Sequence, residues 1–338
     1  MNLYLFLALL SALVIRAYTR SSLTFPGILA AITTAIIHGL APSSLPFILL
    51  ITFYTLGTVA TKVKHNIKAT LTITSTATAP PGRTATQVFA NSIFATICTF
   101  LHARANPPCG PDLLLLGVIA NYAATTADTL SSELGILART KPRLITTGRV
   151  CPPGTNGGVT AWGLFAGAAG AAVIGCVSAA LLPCGSGSER AAVVVFATAV
   201  GTAGSLLDSL LGAVAQESVV DVRTGKVVEA PGGGRVLVAP GGVKLTLKGK
   251  AKAKAGRAPE GAGQAVGKVA GEEGGKEGSR RVLTGRGWLT NNGVNAAMAG
   301  CATVGGMVGW ALWKDGGVGA VGEEVARGLL GWAKVLEL

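Results

Sequence analysis

Asn121-Tyr122-Ala123-Ala124-Thr125-Thr126-Ala127-Asp128 lies within an apolar run spanning about 112–130, and polar residues as far as Gly135 follow it. The run has the length of a membrane span, roughly 17–25 residues, yet it closes on a carboxylate. An ionisable group inside a bilayer costs at least ~2.5–3.5 kcal/mol, so it marks a site before it marks filler. Gly204-Ser205-Leu206-Leu207-Asp208-Ser209-Leu210-Leu211-Gly212 repeats the pattern. Two acids, each flanked by small and hydroxyl residues, predict a polar chamber between helices that binds a cation, most simply a metal ion.

The remainder of the chain supports a membrane setting. Of 338 residues, 49% are hydrophobic and only 13% charged, with a mean hydropathy of +0.52. Soluble domains carry about 25% charge. Apolar stretches near 3–19, 23–41, 45–61, 87–103, 112–130, 159–182, 191–213 and 293–313 predict an all-α, polytopic integral membrane helix bundle of about eight transmembrane helices. The first stretch lacks a basic start and runs into Arg16 and Arg20, so it reads as a retained helix and not a cleaved signal. The stretch at 112–130 is the least apolar, as suits a helix facing the bundle interior. Helices 1–7 then occupy 1–216, an insert 217–288, the last span 289–313 and an interfacial tail 314–338.

Basic residues alternate among the loops. Arg16, Arg20, Lys62, Lys64, Lys68, Arg83, Arg139, Lys141, Arg143 and Arg149 fall in the odd short loops, against Arg104 and Arg190 in the even ones. The positive-inside rule puts the odd loops in the cytosol. Asp128 and Asp208 both lie where a span enters an odd loop, which predicts one shared, cytosolic, membrane boundary. The chain's net charge of +13 is distributed in this pattern and implies no nucleic-acid partner.

The Gly-, Lys- and Glu-rich insert buries too little apolar surface to offset its ordering entropy, so it is expected to be mostly disordered and cytosolic. A small hairpin around Pro231 is conceivable from the Val-rich alternation over 219–247. The insert's lysines suit either contact with anionic lipid or a solvated spacer. Segment 322–338 has helical apolar spacing and suits the membrane interface. Gly163 with Gly167, and Gly305 with Gly309, suit close helix packing.

Several residues around the acids carry ligand-type groups. Asn121, Thr125 and Thr126 surround Asp128, and Ser205 and Ser209 surround Asp208. Such oxygens suit Mg²⁺, with Asp128 and Asp208 as metal ligands. Glu133 lies five residues from Asp128, about 140° around a helix at 3.6 residues per turn, so joint ligation would need a helix break; otherwise Glu133 simply begins the polar loop. In the fifth loop, Arg143 and the turn Gly154-Thr155-Asn156-Gly157-Gly158 lead into a helix, an arrangement that suits an anion. The same residues also suit a basic anchor followed by a Pro-Gly turn. Acids, metal and arginine together are what phosphoryl transfer uses. Arg83, Gln87, Asn91, Asn292 and Asn295 add polar groups at the same predicted face. His38, His65 and His102 read as boundary residues and not as bases. Six cysteines without a Cys-x-x-Cys pair argue against zinc, and Cys109 with Cys184 are placed to form a disulfide if the opposite side is oxidising.

These runs, in this order, resemble the transmembrane protein 19 family, a domain of unknown function (number 92) whose plant and cyanobacterial members include phytyl-phosphate kinase. The matching pieces are Gly57 to Lys68, Gly82-Arg83 with Gln87 to Asn91, Asn121 to Gly135, Pro142 to Thr147, Pro152 to Val159, Gly201 to Gln216 and Trp288 to Asn295. The insert departs from the compact family pattern. The resemblance implies phosphoryl transfer from a nucleoside triphosphate to an isoprenoid (phytyl-like) monophosphate. Asp128 and Asp208 would then hold Mg²⁺, Arg143 and Arg83 would neutralise phosphate, and the Gly154–Gly158 turn would cradle the donor. A cation- or proton-coupled transporter, or a non-catalytic membrane protein, is the competing reading; it needs the buried acids but neither Arg143 nor the glycine turn.

Overall fold

The computed structural model describes residues 2–74, 82–105, 110–230, 233, 236 and 280–315. Its helices are α1 (Leu3–Thr19), α2 (Phe25–Gly39), α3 (Leu45–Lys62), a short α4 (His65–Leu71), α5 (Ala85–Ala105), α6 (Leu113–Gly135), α7 (Ala161–Leu181), α8 (Gly187–Ala215) and α9 (Asn291–Asp315). Local chemistry fixes several of their starts. The Asp112 carboxylate accepts from the Leu114 and Leu115 amides at α6, and Ser186 with Glu189 closes a capping box at α8.

The chain is a mostly helical, multi-pass membrane protein. Among the described residues, α3 and α5 to α9 are long and apolar enough to cross a membrane. α1 and α2, at 17 and 15 residues, are shorter apolar helices. The expected eight spans are therefore six by length, with two shorter apolar helices beside them.

α6 is the axis of the bundle. Every residue from Leu115 to Ala127 is buried, and α3, α5, α7, α8 and α9 pack around it. Polar residues thus mark the innermost helix because they face protein on all sides. Small residues permit the packing: a methyl added at Gly167 would stand 2.9 Å from the Ala127 carbonyl of α6, and one at Gly201 2.4 Å from Ala171 Cβ. By contrast, α1 leaves Tyr4, Ile15 and Tyr18 largely exposed, as a lipid-facing helix does.

The odd loops meet at one end of the bundle. The α1–α2 connection bonds there to the backbone of Arg83, Lys68 of the third loop reaches Glu133 of α6, and Gly157 of the fifth loop packs on Ser209 and Ala213 of α8. A four-stranded sheet covers this end, in the order β1 (Thr72–Thr74), β5 (Val227–Glu229), β4 (Ser218–Asp221), β6 (Arg280–Thr284). β1 pairs in parallel with β5, and the other pairs are antiparallel. A second ribbon joins β2 (Arg143–Leu144) to β3 (Gly158–Val159).

A small sheet accompanies the helices, and the described ends of the insert contribute β4, β5 and β6 to it. Val219, Val227 and Val228 are buried, and that is why the insert's Val-rich start pairs with β1. A hairpin turns at Asp221–Lys226, where the Asp221 carboxylate accepts from the Arg223 and Thr224 amides; the turn expected at Pro231 lies outside the described residues. The centre of the insert and the tail 316–338, with its expected interfacial helix, lie outside the described residues.

Candidate functional site

A cavity of about 830 Å³ opens at the sheet-covered end. The C-terminal ends of α3, α6 and α8 enter it, as do the N-terminal ends of α5, α7 and α9, with the fifth loop and strands β1, β4 and β5 as further walls. Asp128 and Asp208 lie on its floor with their side chains in hydrogen-bonding reach of each other. The parallel register of α6 and α8 puts them there. Gly204 packs on Ala124, and one turn further along both helices the two acids meet. The Asp208 Oδ2 atom is buried with no hydrogen-bond partner among the described residues.

Five residues beyond Asp128, on an unbroken helix, Glu133 lines the same cavity at a separate station. Lys68 Nζ donates to its Oε2 at 2.6 Å and to the Ala60 carbonyl at 2.7 Å, while Thr61 Oγ1 donates to Oε1 at 3.1 Å. No helix break brings Glu133 beside Asp128, so it serves as a counter-ion and not as a co-ligand.

Arg83 sits in the wall at the start of α5 with its guanidinium 3.3 Å from the position a Gly57 methyl would take. No described residue accepts a hydrogen bond from it. Burial pushes its pKa below the ordinary arginine value, with Glu133 and Tyr54 pulling it back up. An arginine without a fixed partner, facing a cavity, is a ready receptor for phosphate oxygens. Glu229 of β5 also lines the cavity, beside the Gly154 turn. Burial raises its pKa, and nearby Glu133 raises it further, opposed by a hydrogen bond from Thr72.

Gly154, Thr155, Asn156 and Gly157 all line the cavity, as do Ser209, Asn292 and Asn295. The turn is less open to a ligand than its composition implies. The Thr155 amide bonds to the Pro152 carbonyl, that of Gly158 to Thr155, and that of Asn156 to Ser218 Oγ. Asn156 Nδ2 also donates to the Glu217 carbonyl. The loop is thereby locked to β4, and Gly157, at φ +76°, lets it lie directly on α8.

Two expected site residues stand elsewhere. Arg143 is exposed on β2, where its Nη1 donates to the Gly148 carbonyl at 2.9 Å; pairing with β3 turns it away from the cavity. Asn121 is buried between helices, donating to the Asn91 carbonyl at 2.8 Å and accepting from Thr303 at 3.4 Å. It pins α5 and α9 to α6. His38 likewise belongs to the core, hydrogen-bonded to Tyr122 Oη at 2.8 Å, whereas His65 lines the cavity. Cys184 is disulfide-bonded, and Cys109 lies outside the described residues.

Lys68 and Glu229 join the cavity without having been singled out. Lys68 was visible only as one basic loop residue among several, and Glu229 sits in a segment whose composition argued against order. Together with Asp128, Asp208 and Glu133 they give four carboxylates facing the two cations Lys68 and Arg83. Asp128 and Asp208, acceptor-only when ionised and turned on each other, fit a divalent ion, with water or substrate oxygens completing a shell of the Mg²⁺ type.

Residues 8–303 match the profile of an integral membrane protein family, DUF92. Protein PGR of Arabidopsis thaliana is 33% identical over 253 residues, covering 68% of this chain and 84% of that protein. Protein VTE6, chloroplastic, also of Arabidopsis thaliana, is 28% identical over 201 residues, 58% of this chain and 57% of its own. An uncharacterized membrane protein of Methanocaldococcus jannaschii is 38% identical over 167 residues, which span 49% of this chain and 63% of that one. No solved structure matches.

Proposed function

We propose, from the premise that the chain belongs to the DUF92 family of integral membrane proteins, that it transfers a phosphoryl group from a nucleoside triphosphate to an isoprenoid, phytyl-like monophosphate. One observation carries this reading: the carboxylate pair Asp128–Asp208 and the guanidinium of Arg83, which has no hydrogen-bond acceptor among the described residues, face one cavity at the end of a membrane bundle. Transport of a cation would use the acids alone. An arginine beside them, with no hydrogen-bond acceptor among the described residues, adds an anion to the reaction.

Asp128 and Asp208 would hold Mg²⁺, which when bound supplies charge neutralisation along the donor phosphates. Arg83 takes the acceptor phosphate in place of Arg143, which points elsewhere. Lys68 stays with Glu133 in the free protein and is close enough to the cavity to exchange that partner for a donor phosphate. An oxygen of the acceptor monophosphate forms the new bond to the γ-phosphorus as the bond to the nucleoside diphosphate breaks. The acceptor is already an anion, so the step needs no general base. The basic residues of the odd loops favour the cytosol for the cavity mouth, where nucleotides are found.

The reading is tested with purified protein, labelled ATP or CTP, Mg²⁺ and farnesyl, geranylgeranyl or phytyl monophosphate. Labelled diphosphate should form with at least one acceptor and disappear in Asp128→Asn. Absence of diphosphate with every acceptor, alongside a cation flux that Asp128→Asn abolishes, would overturn the reading in favour of a transporter.

A further inference from the structure

A second, smaller hollow abuts the polar cavity. It is a crevice of about 90 Å³ between α1, α2, α3 and α5, walled by side chains such as Val14, Ile28, Ile32, Ile51 and Val88. Its walls are almost wholly apolar, yet Phe53, Arg83, Gln87 and Asn91 line both hollows. The junction between them therefore carries the buried guanidinium, which has no hydrogen-bond acceptor among the described residues, with apolar surface on one side and paired carboxylates on the other. That is the shape of a site for an amphiphile: an anionic head joined to a single hydrocarbon chain.

We propose that this crevice seats the head-proximal segment of the acceptor's prenyl chain, with Arg83 holding its phosphate at the boundary between the two hollows. The proposal rests on the phosphotransferase reading of the polar cavity and adds where the acceptor enters and which part of it is recognised. A bilayer phospholipid fits less well, because two acyl chains diverge from its headgroup and the crevice admits one. At this volume only the first carbons are enclosed, and the remainder of the tail lies outside α1, whose outer side chains are exposed. Selectivity should follow from bulk near the phosphate and not from total chain length. Apolar walls reward the enclosed carbons by area removed from water, while carbons outside the crevice meet the same lipid whether bound or free.

The test is photolabelling of the full-length protein in detergent with a geranylgeranyl monophosphate carrying a diazirine in its first isoprene unit, followed by peptide mapping. Adducts are expected on α1, α2 and α5 around Val14, Ile32 and Val88. Excess unlabelled geranylgeranyl monophosphate should suppress them, and equal concentrations of phosphatidic acid or inorganic phosphate should not. Ala31→Phe, which fills the crevice, and Arg83→Gln, which removes the charge at its mouth, should each weaken probe binding tenfold or more while a fluorescent nucleotide still binds. Adducts confined to other helices, no specific adducts, or equal displacement by phosphatidic acid would each overturn the proposal. The diphosphate assay is run in parallel. Crevice labelling without diphosphate would sink the kinase reading alone, and diphosphate with labels elsewhere would sink the crevice alone.

Discussion

Asp128 of α6 and Asp208 of α8 turn their carboxyl groups toward each other one helical turn beyond the contact of Ala124 with Gly204. Two acceptor-only groups in contact repel when both are ionised, a cost that either a shared proton or a bound cation relieves. Replacing either acid with Asn supplies an amide donor to the remaining carboxylate. Asp128→Asn and Asp208→Asn should therefore keep the pair bonded without a proton or a metal, leaving the ion-free unfolding temperature at or above the wild-type value, while abolishing transfer. Millimolar Mg²⁺ should raise the wild-type unfolding temperature and leave both variants unmoved. A thermal-unfolding series with and without Mg²⁺ checks this, and a wild-type protein indifferent to the ion would count against a metal at the pair.

The Lys68–Glu133 contact ties α4 to α6 at 2.6 Å, with the two side chains 11% and 28% exposed. That partial exposure tempers its value below that of a sealed ion pair. Lys68→Met should cost about 1–2 kcal/mol, since Glu133 keeps only the Thr61 hydroxyl and the Ala60 carbonyl loses its donor. Adding Glu133→Gln should recover part of the loss. A double-mutant cycle on unfolding temperature measures the coupling, and strict additivity would mean that the pair contributes nothing.

Much of this arrangement is legible in the chain. The acids at the ends of two runs separated by one antiparallel helix have to fall at the same end of the bundle, and the polar character of 112–130 marks α6 as central. Gly163 and Gly167 do meet α6, whereas Gly305 and Gly309 face open space and it is Gly306 that packs on Ala120. Spacing alone does not set which face of a helix is inward. Arg143 was misplaced for a related reason: proximity in sequence to a glycine turn does not fix the side from which a β-ribbon projects its side chains. Glu229 was hidden because composition averages over a segment, and a few buried valines at its start suffice to order β4 and β5 against β1. The apolar crevice involves α1, α2, α3 and α5 together, a tertiary relation that no local pattern encodes.

Gly157 carries a sharp steric prediction. Its φ of +76° disfavours any side chain, and an added methyl would lie 2.6 Å from the Ser209 carbonyl oxygen and 2.4 Å from Ala213 Cβ. Neither atom belongs to a flexible tip that could swing away. Gly157→Ala should lift the fifth loop from α8 and lower stability by about 1–3 kcal/mol. Proteolysis should reveal the loosened loop as new cleavage between Arg139 and Arg149, and an unchanged digestion pattern would contradict the packing. Gly148→Ala makes a suitable control, because its φ of +67° is equally strained but nothing lies within 4 Å of the added methyl.

Glu229 makes stability of the sheet depend on pH with a definite sign. Burial first, and the charge of Glu133 second, raise its folded-state pKa above the ordinary carboxylate value. A raised acid favours the protonated folded state, so its contribution is fully present below the unfolded pKa and is lost as pH rises through the folded one. The chain should accordingly lose stability across the weakly acidic range just above the usual carboxylate titration, from this group alone. Glu229→Gln mimics the protonated form and should remove that dependence. The variant should match wild type in acid and exceed it in unfolding temperature at neutral pH and above. Unfolding scans of both proteins between pH 4 and pH 8 measure the difference. Parallel curves over the whole interval would place Glu229 in water and not against β1 and the cavity wall.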